Sequence, residues 1–124
     1  FVKIAGKEAA EGSWLTFSPD IKNVPTAKAS VEAYEKQFGP VGPYSIYSYV
    51  AARLLFEGVK ATGAKGPRDA RKVADWIRKN THQTALGTVR FDPKGDVGSR
   101  TYVVYETRDG QFVQITGLEN QAAN

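Results

Sequence analysis

The sequence predicts an α/β fold in which one strand is followed by three helices and then by strands that end in a β-hairpin. Apolar residues recur at helical spacing in three stretches between residues 25 and 80, as amphipathic or buried helices require. Further along, the apolar period changes to two, which is typical of strands. Three helices between strands, without a long sheet, suit a piece of a larger α/β protein better than a complete small domain.

The first elements are short. Residues 1–5 form a brief apolar stretch that ends at Gly6. Residues 13–17 (SWLTF) alternate Trp14 and Thr16 with Leu15 and Phe17, so we predict a strand there. Residues 18–20 (SPD) should stop it because they favour turns.

Two predicted helices follow. The first covers residues 25–38, with Pro25 in its first turn and Gly39 and Pro40 ending it. The second covers residues 44–62 and is apolar nearly all round, up to Gly63. Because a helix that is apolar on every side is normally buried, we expect this one to be the central, mostly buried helix.

A third predicted helix begins after Gly66 and Pro67 and runs to about residue 80. Its inward face consists of four apolar residues: Ala70, Val73, Ala74 and Ile77. Residues 85–91 are then strand-like, and residues 92–96 (DPKGD) have turn chemistry. Residues 101–107 and 111–116 are predicted strands joined by a tight turn at residues 108–110, and the chain after Gly117 is expected to be frayed.

Composition excludes several classes of function. The 124 residues are 41% hydrophobic and 24% charged, as in soluble globular chains, and no run approaches the roughly 18 apolar residues of a membrane span. The net charge of +4 comes from 17 basic and 13 acidic residues that are interleaved. We therefore predict a solvated helix face, and no nucleic-acid partner, for the basic cluster at residues 65–79. Cysteine is absent, which excludes disulfides and thiol catalysis.

No catalytic constellation emerges. His82 is the sole histidine and has no second metal ligand at a suitable spacing. It follows a helix C-terminus, where the helix dipole favours it, so a capping or surface role is expected. Ser13 lacks a nucleophile elbow, and no glycine pattern forms a phosphate loop. The sequence thus predicts no enzyme, no cofactor and no metal.

One segment is richer in recognition chemistry. Residues 42–49 (GPYSIYSY) place hydroxyls and aromatic rings at the start of the second helix, where free backbone amides favour anions. The segment offers donors for a carboxylate and an apolar wall for a small zwitterion, but no acidic group for its ammonium. The tyrosines equally fit a role in packing this helix against a sheet.

A run near the end of the chain resembles a known family. Residues 80–96 (NTHQTALGTVRFDPKGD) are similar to a C-terminal stretch of type 1 periplasmic binding proteins of the leucine/isoleucine/valine-binding family. The resemblance continues in order along nearly the whole chain. It includes residues 3–6 with 10–12, which look like the strand before that family's last helical block, and then residues 42–44, 49–52, 72–76 and 102–113.

The resemblance implies the C-terminal portion of a two-lobed protein that closes around an amino acid in the periplasm and delivers it to an ABC permease. Such a portion would explain a chain that begins at Phe1 without a leader. The implied organisation has a hinge and C-terminal-lobe segment at residues 1–24 and an N-terminal-lobe helical segment at 25–90. C-terminal-lobe strands would follow at 91–117, with a frayed tail at 118–124.

The resemblance also implies ligand-binding residues. Tyr44 matches the family's aromatic wall after Gly-Pro, and Tyr47 is a weaker candidate one turn on. Ile46 stands where relatives carry a bulky aromatic, which leaves the side-chain preference open. The remaining donors and the acidic acceptor would come from an earlier part of such a protein.

The expected partners are a small amino acid or amide, a permease, and either the missing N-terminal part of the same protein or a second copy. Two other classes of protein remain open. The chain could be a type 1 lobe that senses a ligand in a receptor or in an amide-responsive regulator. It could also belong to an unrelated α/β enzyme family.

Overall fold

The computed structural model describes residues 1–98 and 102–115. Within them, residues 1–20 and 102–115 belong to one compact unit, and residues 21–98 belong to a second. The first unit is therefore built from two distant stretches of chain, whereas the second is contiguous. The assignment of these stretches to a hinge and two lobes stays a prediction.

The first unit begins with two single-turn helices, α1 (Val2–Ala5) and α2 (Lys7–Ala10). A strand resembling that of the family was expected at residues 3–6, and that expectation is wrong. The amides of Ala5 and Gly6 bond to the carbonyls of Phe1 and Val2, at 2.9 and 3.0 Å. Local helical turns thus satisfy backbone groups that a strand there would have to pair with a neighbour.

The sheet of the first unit has three antiparallel strands: β1 (Trp14–Phe17), β4 (Val103–Arg108) and β5 (Gln111–Ile115), in the order β1-β4-β5. The predicted hairpin is confirmed. Asp109 and Gly110 have φ of 53° and 74°, the left-handed pair that a two-residue turn of type I′ requires. Residues 101 and 116, at the ends of the predicted strands, and the predicted tail lie outside the described residues.

Thr107 is fully buried, on the same face of β4 as the buried residues Val103 and Tyr105. The hydroxyl of Ser13 donates to the carbonyl of Ala10 at 2.7 Å. The 2.9 Å contact between the Ser13 and Thr107 hydroxyls must then have Thr107 as its donor. This bond ties the start of β1 to the middle of the sheet.

Replacing Thr107 with Val is expected to lower the free energy of unfolding by about 1 kcal/mol, because the buried hydroxyl pair is lost while side-chain volume is kept. Chemical denaturation of the chain measures this. Thr16→Val is the matched control, since Thr16 lies exposed on β1 of the same sheet. Equal effects of the two substitutions would show that the hydroxyl pair contributes nothing.

All three predicted helices are present in the second unit. A 3-10 turn at Pro25–Ala27 leads into α3 (Lys28–Phe38). Helix α4 (Ser45–Thr62) ends at Gly63 with a left-handed φ of 63°. A second 3-10 turn at Pro67–Asp69 leads into α5 (Ala70–Lys79).

The core of the second unit lies where the start of α4 meets α3. Its buried residues are Ile21, Ala27, Val31 and Ile46. Partly buried apolar side chains close it from the connecting segments, namely Val24, Val41, Tyr47, Ala85 and Leu86. The start of α4 is therefore held in a fixed place by packing from several segments.

Helix α4 also packs on α5, but it is less buried than predicted. Val50, Leu54 and Gly58 are buried along one face, whereas Leu55 and Phe56 are 56% and 74% exposed. The expectation of a mostly buried helix is therefore wrong for the described residues, because α4 meets packing partners along one side alone. On α5, Val73 is buried, but Ala70 and Ala74 are exposed despite their predicted inward position.

A short hairpin replaces the strand predicted at residues 85–91. Strands β2 (His82–Thr84) and β3 (Gly87–Val89) pair antiparallel, and Gly87 has a φ of 87°. The Thr84 hydroxyl donates to the Gly87 carbonyl at 2.8 Å and accepts from the Leu86 amide at 3.0 Å. The turn predicted at residues 92–96 is confirmed, since the Asp92 carboxylate accepts from the amides of Lys94 and Asp96, each at 2.9 Å.

Candidate functional site

The candidate binding segment forms a compact turn at the start of α4. The Ser45 hydroxyl accepts from the Gly42 amide at 3.0 Å, and the Ser45 amide donates to the Gly42 carbonyl at 3.2 Å. Helical bonding begins with the Ser48 amide, which donates to the Tyr44 carbonyl at 2.8 Å. These bonds fix Tyr44 as the residue that immediately precedes the helix.

The structure places the two predicted ligand-binding tyrosines at the same end of α4 but in different surroundings. The Tyr44 side chain is 62% exposed, whereas Tyr47 is half-buried against the core of the second unit. An exposed ring on a fixed backbone suits a ligand wall, while Tyr47 is partly committed to packing. Their roles in ligand binding stay predictions.

Ile46 has a structural role. It is 2% exposed and belongs to the core cluster with Ala27 and Val31. A side chain sealed in this way does not reach a ligand at the surface of the turn. Ile46 therefore acts in core packing, and the side-chain preference of the proposed site stays undecided.

Glu35 is an acidic residue in the last turn of α3, and its carboxylate contacts the connector that leads into α4. One of its carboxylate oxygens, Oε1, accepts from the Val41 amide at 3.4 Å and lies 3.5 Å from the Lys22 ammonium. The carboxylate thus links α3 to the connector that leads into α4. Helical periodicity could not reveal this contact, because it depends on how the connector folds back.

His82 is buried, with 5% of its surface exposed, so of the two roles expected for it, capping or surface, the structure leaves capping. Its Nε2 lies 2.8 Å from the carbonyl of Ile77, in the last turn of α5, so this nitrogen carries the hydrogen and donates. The imidazole also packs against the Trp76 ring, with centroids 5.2 Å apart, and near Phe91 at 6.5 Å. These contacts confirm the expected capping of α5 and make the ring a packing group.

The basic cluster on α5 is a solvated helix face, as predicted. Lys72 and Arg78 pair with Asp69 and Asp75 at 2.8 and 2.9 Å. The hydrogen bond from Lys72, followed by the one from the Lys65 amide, lowers the pKa of Asp69 below its usual value. Local ion pairs of this kind neutralise part of the basic charge.

Metal ligands do not cluster in the described ranges 1–98 and 102–115: no three histidine or carboxylate side chains there lie close enough together to hold an ion. In the same ranges, no helix has the length and apolar character needed to span a bilayer.

Sequence comparison identifies relatives over most of the chain, although no family model matches. An amino acid binding protein of Pseudomonas aeruginosa is 35% identical over 112 residues, which are 89% of this chain and 29% of that protein. A Leu/Ile/Val-binding protein homolog of Brucella suis is 34% identical over 86% of this chain and 28% of its own length. The chain thus spans less than a third of the length of these curated relatives.

Solved structures also match most of this chain while the chain covers about a third of each. A leucine binding protein of Thermotoga maritima matches with a TM-score of 0.72 and 28% identity, over 92% of this chain and 32% of that one. A solute binding protein of Rhodopseudomonas palustris, in complex with 3,4-dihydroxybenzoic acid, matches with a TM-score of 0.55 and 25% identity, over 87% of this chain and 31% of that one.

Proposed function

We propose that the chain is one part of a type 1 periplasmic binding protein of the leucine/isoleucine/valine-binding family, because its relatives over most of its length are amino-acid-binding proteins. We propose that it supplies one part of the substrate-binding component of an ABC transporter for branched-chain or related amino acids. The complete protein, read from the gene that encodes this chain, would bind the amino acid and deliver it to a permease.

The observation that carries this proposal is the continuous match to proteins named for amino-acid binding. Identity of 34–35% extends over 86–89% of the chain, so the similarity is not confined to one short motif. The resemblance first seen at residues 80–96 is thereby confirmed, and so is the predicted α/β fold of a type 1 binding protein.

The geometry of the turn at residues 42–48 supports a ligand-binding role for Tyr44. Its exposed ring could cover the apolar side chain of an amino acid, and the first amides of α4 favour a carboxylate nearby. The turn itself contains no acidic side chain. The partner of the ammonium group would therefore come from another part of the complete protein.

A binding role without catalysis, in the periplasm, completes the proposal. The relatives are solute-binding proteins. Burial of His82 among aromatic rings and its bond to a backbone carbonyl further support a role in packing rather than in acid–base chemistry. No cofactor is required by this function.

Replacing Tyr44 with Ala in the complete protein is expected to weaken leucine binding about tenfold or more, because an apolar wall worth roughly 1.5–3 kcal/mol is removed. Isothermal titration calorimetry measures the change. Tyr44→Phe is the matched control and should keep most of the affinity, since the ring remains. Unchanged leucine affinity in Tyr44→Ala would remove this residue from the site.

The ligand class is tested by titrating the same protein with leucine, valine, alanine and 3,4-dihydroxybenzoate. All four carry a carboxylate, and the last represents the ligand of a structural neighbour. Binding of the amino acids with the benzoate excluded is the expected result. If none of the amino acids binds, the proposed transport function is wrong.

A further inference from the structure

The positive charge of the chain is concentrated in one segment. Residues 65–79 hold six basic and two acidic side chains, which gives this segment a net charge of +4. The whole chain, with 17 basic and 13 acidic residues, has the same net charge of +4, so the remaining residues contribute none. A charge excess gathered in one segment produces a local field that attracts a partner of opposite sign.

The structure places this charge on one exposed side of α5 and of the turn that leads into it. We call this side the basic face, and its members, all of them exposed, are Arg68, Arg71, Lys72, Arg78 and Lys79. Residues about two turns apart share a side of a helix, which groups Arg71 with Arg78 and Lys72 with Lys79. The buried Val73 lies on the opposite side, where α5 meets α4.

Local ion pairs leave most of the charge of the basic face uncompensated. Two of its five members pair with Asp69 and Asp75. The other three, Arg68, Arg71 and Lys79, have no acidic partner within residues 1–98 and 102–115. Because ion pairs between exposed side chains are weak, the two paired members can also exchange their carboxylates for another anion.

We propose that the basic face binds the surface of a membrane that contains anionic phospholipids. The inference rests on the proposed function in one respect, since a protein that delivers its ligand to a permease works beside a membrane. The phosphate groups of such a surface lie side by side, and each basic residue held near them strengthens binding roughly fivefold.

The shape of the basic face favours an extended anionic surface over a small anion. Helix α5 has 10 residues, so it is about 15 Å long, and the basic side chains are spread along its outer side. They are exposed and do not converge on one point. A small anion would therefore meet one or two of them, whereas a flat surface of phosphates can meet them all.

The side of α5 that carries the basic face has no apolar residue, which favours a membrane surface over a protein partner. By helical spacing, this side includes Asp75 and none of the apolar residues of α5. Interfaces between proteins normally bury an apolar centre. Electrostatic binding of basic residues to an anionic bilayer surface needs no such centre.

Vesicle sedimentation with the complete protein tests the basic face. Vesicles of phosphatidylglycerol and phosphatidylcholine in equal parts supply an anionic surface, and vesicles of phosphatidylcholine alone supply a neutral one. At about 0.01 M salt, the anionic vesicles should bind the protein at least about tenfold more strongly than the neutral ones. This preference should vanish at about 1 M salt, where charges are screened beyond about 3 Å. Equal binding to both kinds of vesicle at low salt would overturn the proposal.

Charge reversal locates the binding on α5. Arg68→Glu combined with Arg71→Glu places acidic side chains near the start of α5, where the helix dipole favours them, and should weaken binding to anionic vesicles at least about tenfold. Lys28→Glu combined with Lys36→Glu is the matched control, because both lysines are exposed on α3 and the net charge changes equally. Circular dichroism verifies folding. Equal losses in the two variants would mean that net charge alone attracts the membrane, which would overturn the proposal.

Leucine titration of the same proteins separates this inference from the proposed function. Leucine binding without any preference for anionic vesicles would reject the membrane-binding face and keep the transport function. Vesicle binding that depends on the basic face, without amino-acid binding, would reject the transport function and keep the membrane-binding face. If vesicles bind the protein only when they contain the permease, the basic face contacts a protein partner, and the inference is overturned.

Discussion

The 124-residue chain is expected to bind leucine at least about a hundredfold more weakly than the complete protein does. Tyr44 offers an apolar wall and the first amides of α4 favour a carboxylate, but the turn at residues 42–48 has no acidic side chain to pair with the ammonium. A buried ammonium or carboxylate without a partner costs several kcal/mol. Each 1.4 kcal/mol corresponds to about a factor of ten in affinity.

Calorimetry of both proteins under identical buffer conditions provides the measurement. The chain must first show helical circular dichroism, so that weak binding reflects an incomplete site and not an unfolded one. Micromolar leucine binding by the 124-residue chain would contradict the prediction, since it would mean that the described residues hold a whole site.

Replacing Gly58 with Ala is expected to destabilise the second unit by about 2 kcal/mol, although alanine favours helices by up to about 1 kcal/mol over glycine. Gly58 is buried where α4 meets α5. A Cβ atom there would lie 2.8 Å from Cγ1 of Val73, closer than van der Waals contact permits. The helices would have to separate, or Val73 would have to leave its position in the core.

Chemical denaturation measures the change in the free energy of unfolding caused by Gly58→Ala. The substitution is made both in the wild-type chain and in a chain that carries Val73→Ala. Without the Val73 Cγ1 atom the close contact disappears, and the helix-forming advantage of alanine remains. We therefore expect Gly58→Ala to become neutral or stabilising when made together with Val73→Ala. The same loss of stability in both backgrounds would show that the close approach of the two helices is not its cause.

The three helices and the terminal hairpin were predictable because their signals are local. Apolar spacing, Pro25 and Gly63 mark helix positions and ends, and the Asp109-Gly110 pair marks a turn that needs positive φ. These residues act through their own backbone preferences. Their structural effect can therefore be predicted without knowing any distant contact.

The missed features depend on contacts that periodicity does not encode. The β2–β3 hairpin turns at Ala85 and Leu86, which lack typical turn chemistry, and Thr84 stabilises the turn with its hydroxyl. The burial of His82 depends on Trp76 and Phe91 closing around it. Tertiary packing overrides local preference at these positions.

For the candidate site, the sequence predicted that Tyr44 and Tyr47 lie at the same end of one helix. It did not predict that Tyr44 is exposed while Tyr47 is partly buried. Their spacing of three residues places them on neighbouring sides of α4, and the core cluster then covers Tyr47 more than Tyr44. Which aromatic is covered depends on α3 and on the segments that pack beside it. The exposure of each tyrosine therefore depends on how the helices and connecting segments pack together, which the local sequence pattern does not determine.

The pairing of β1 with β4 has a consequence for the order of assembly during synthesis. Among the described residues, β1 pairs with β4 alone, so this ladder cannot form until β4 has been synthesised. The contiguous second unit is complete by then and can form its helices first. Until then β1 and the exposed Trp14 lack this partner, and unpaired strand edges favour association between nascent chains.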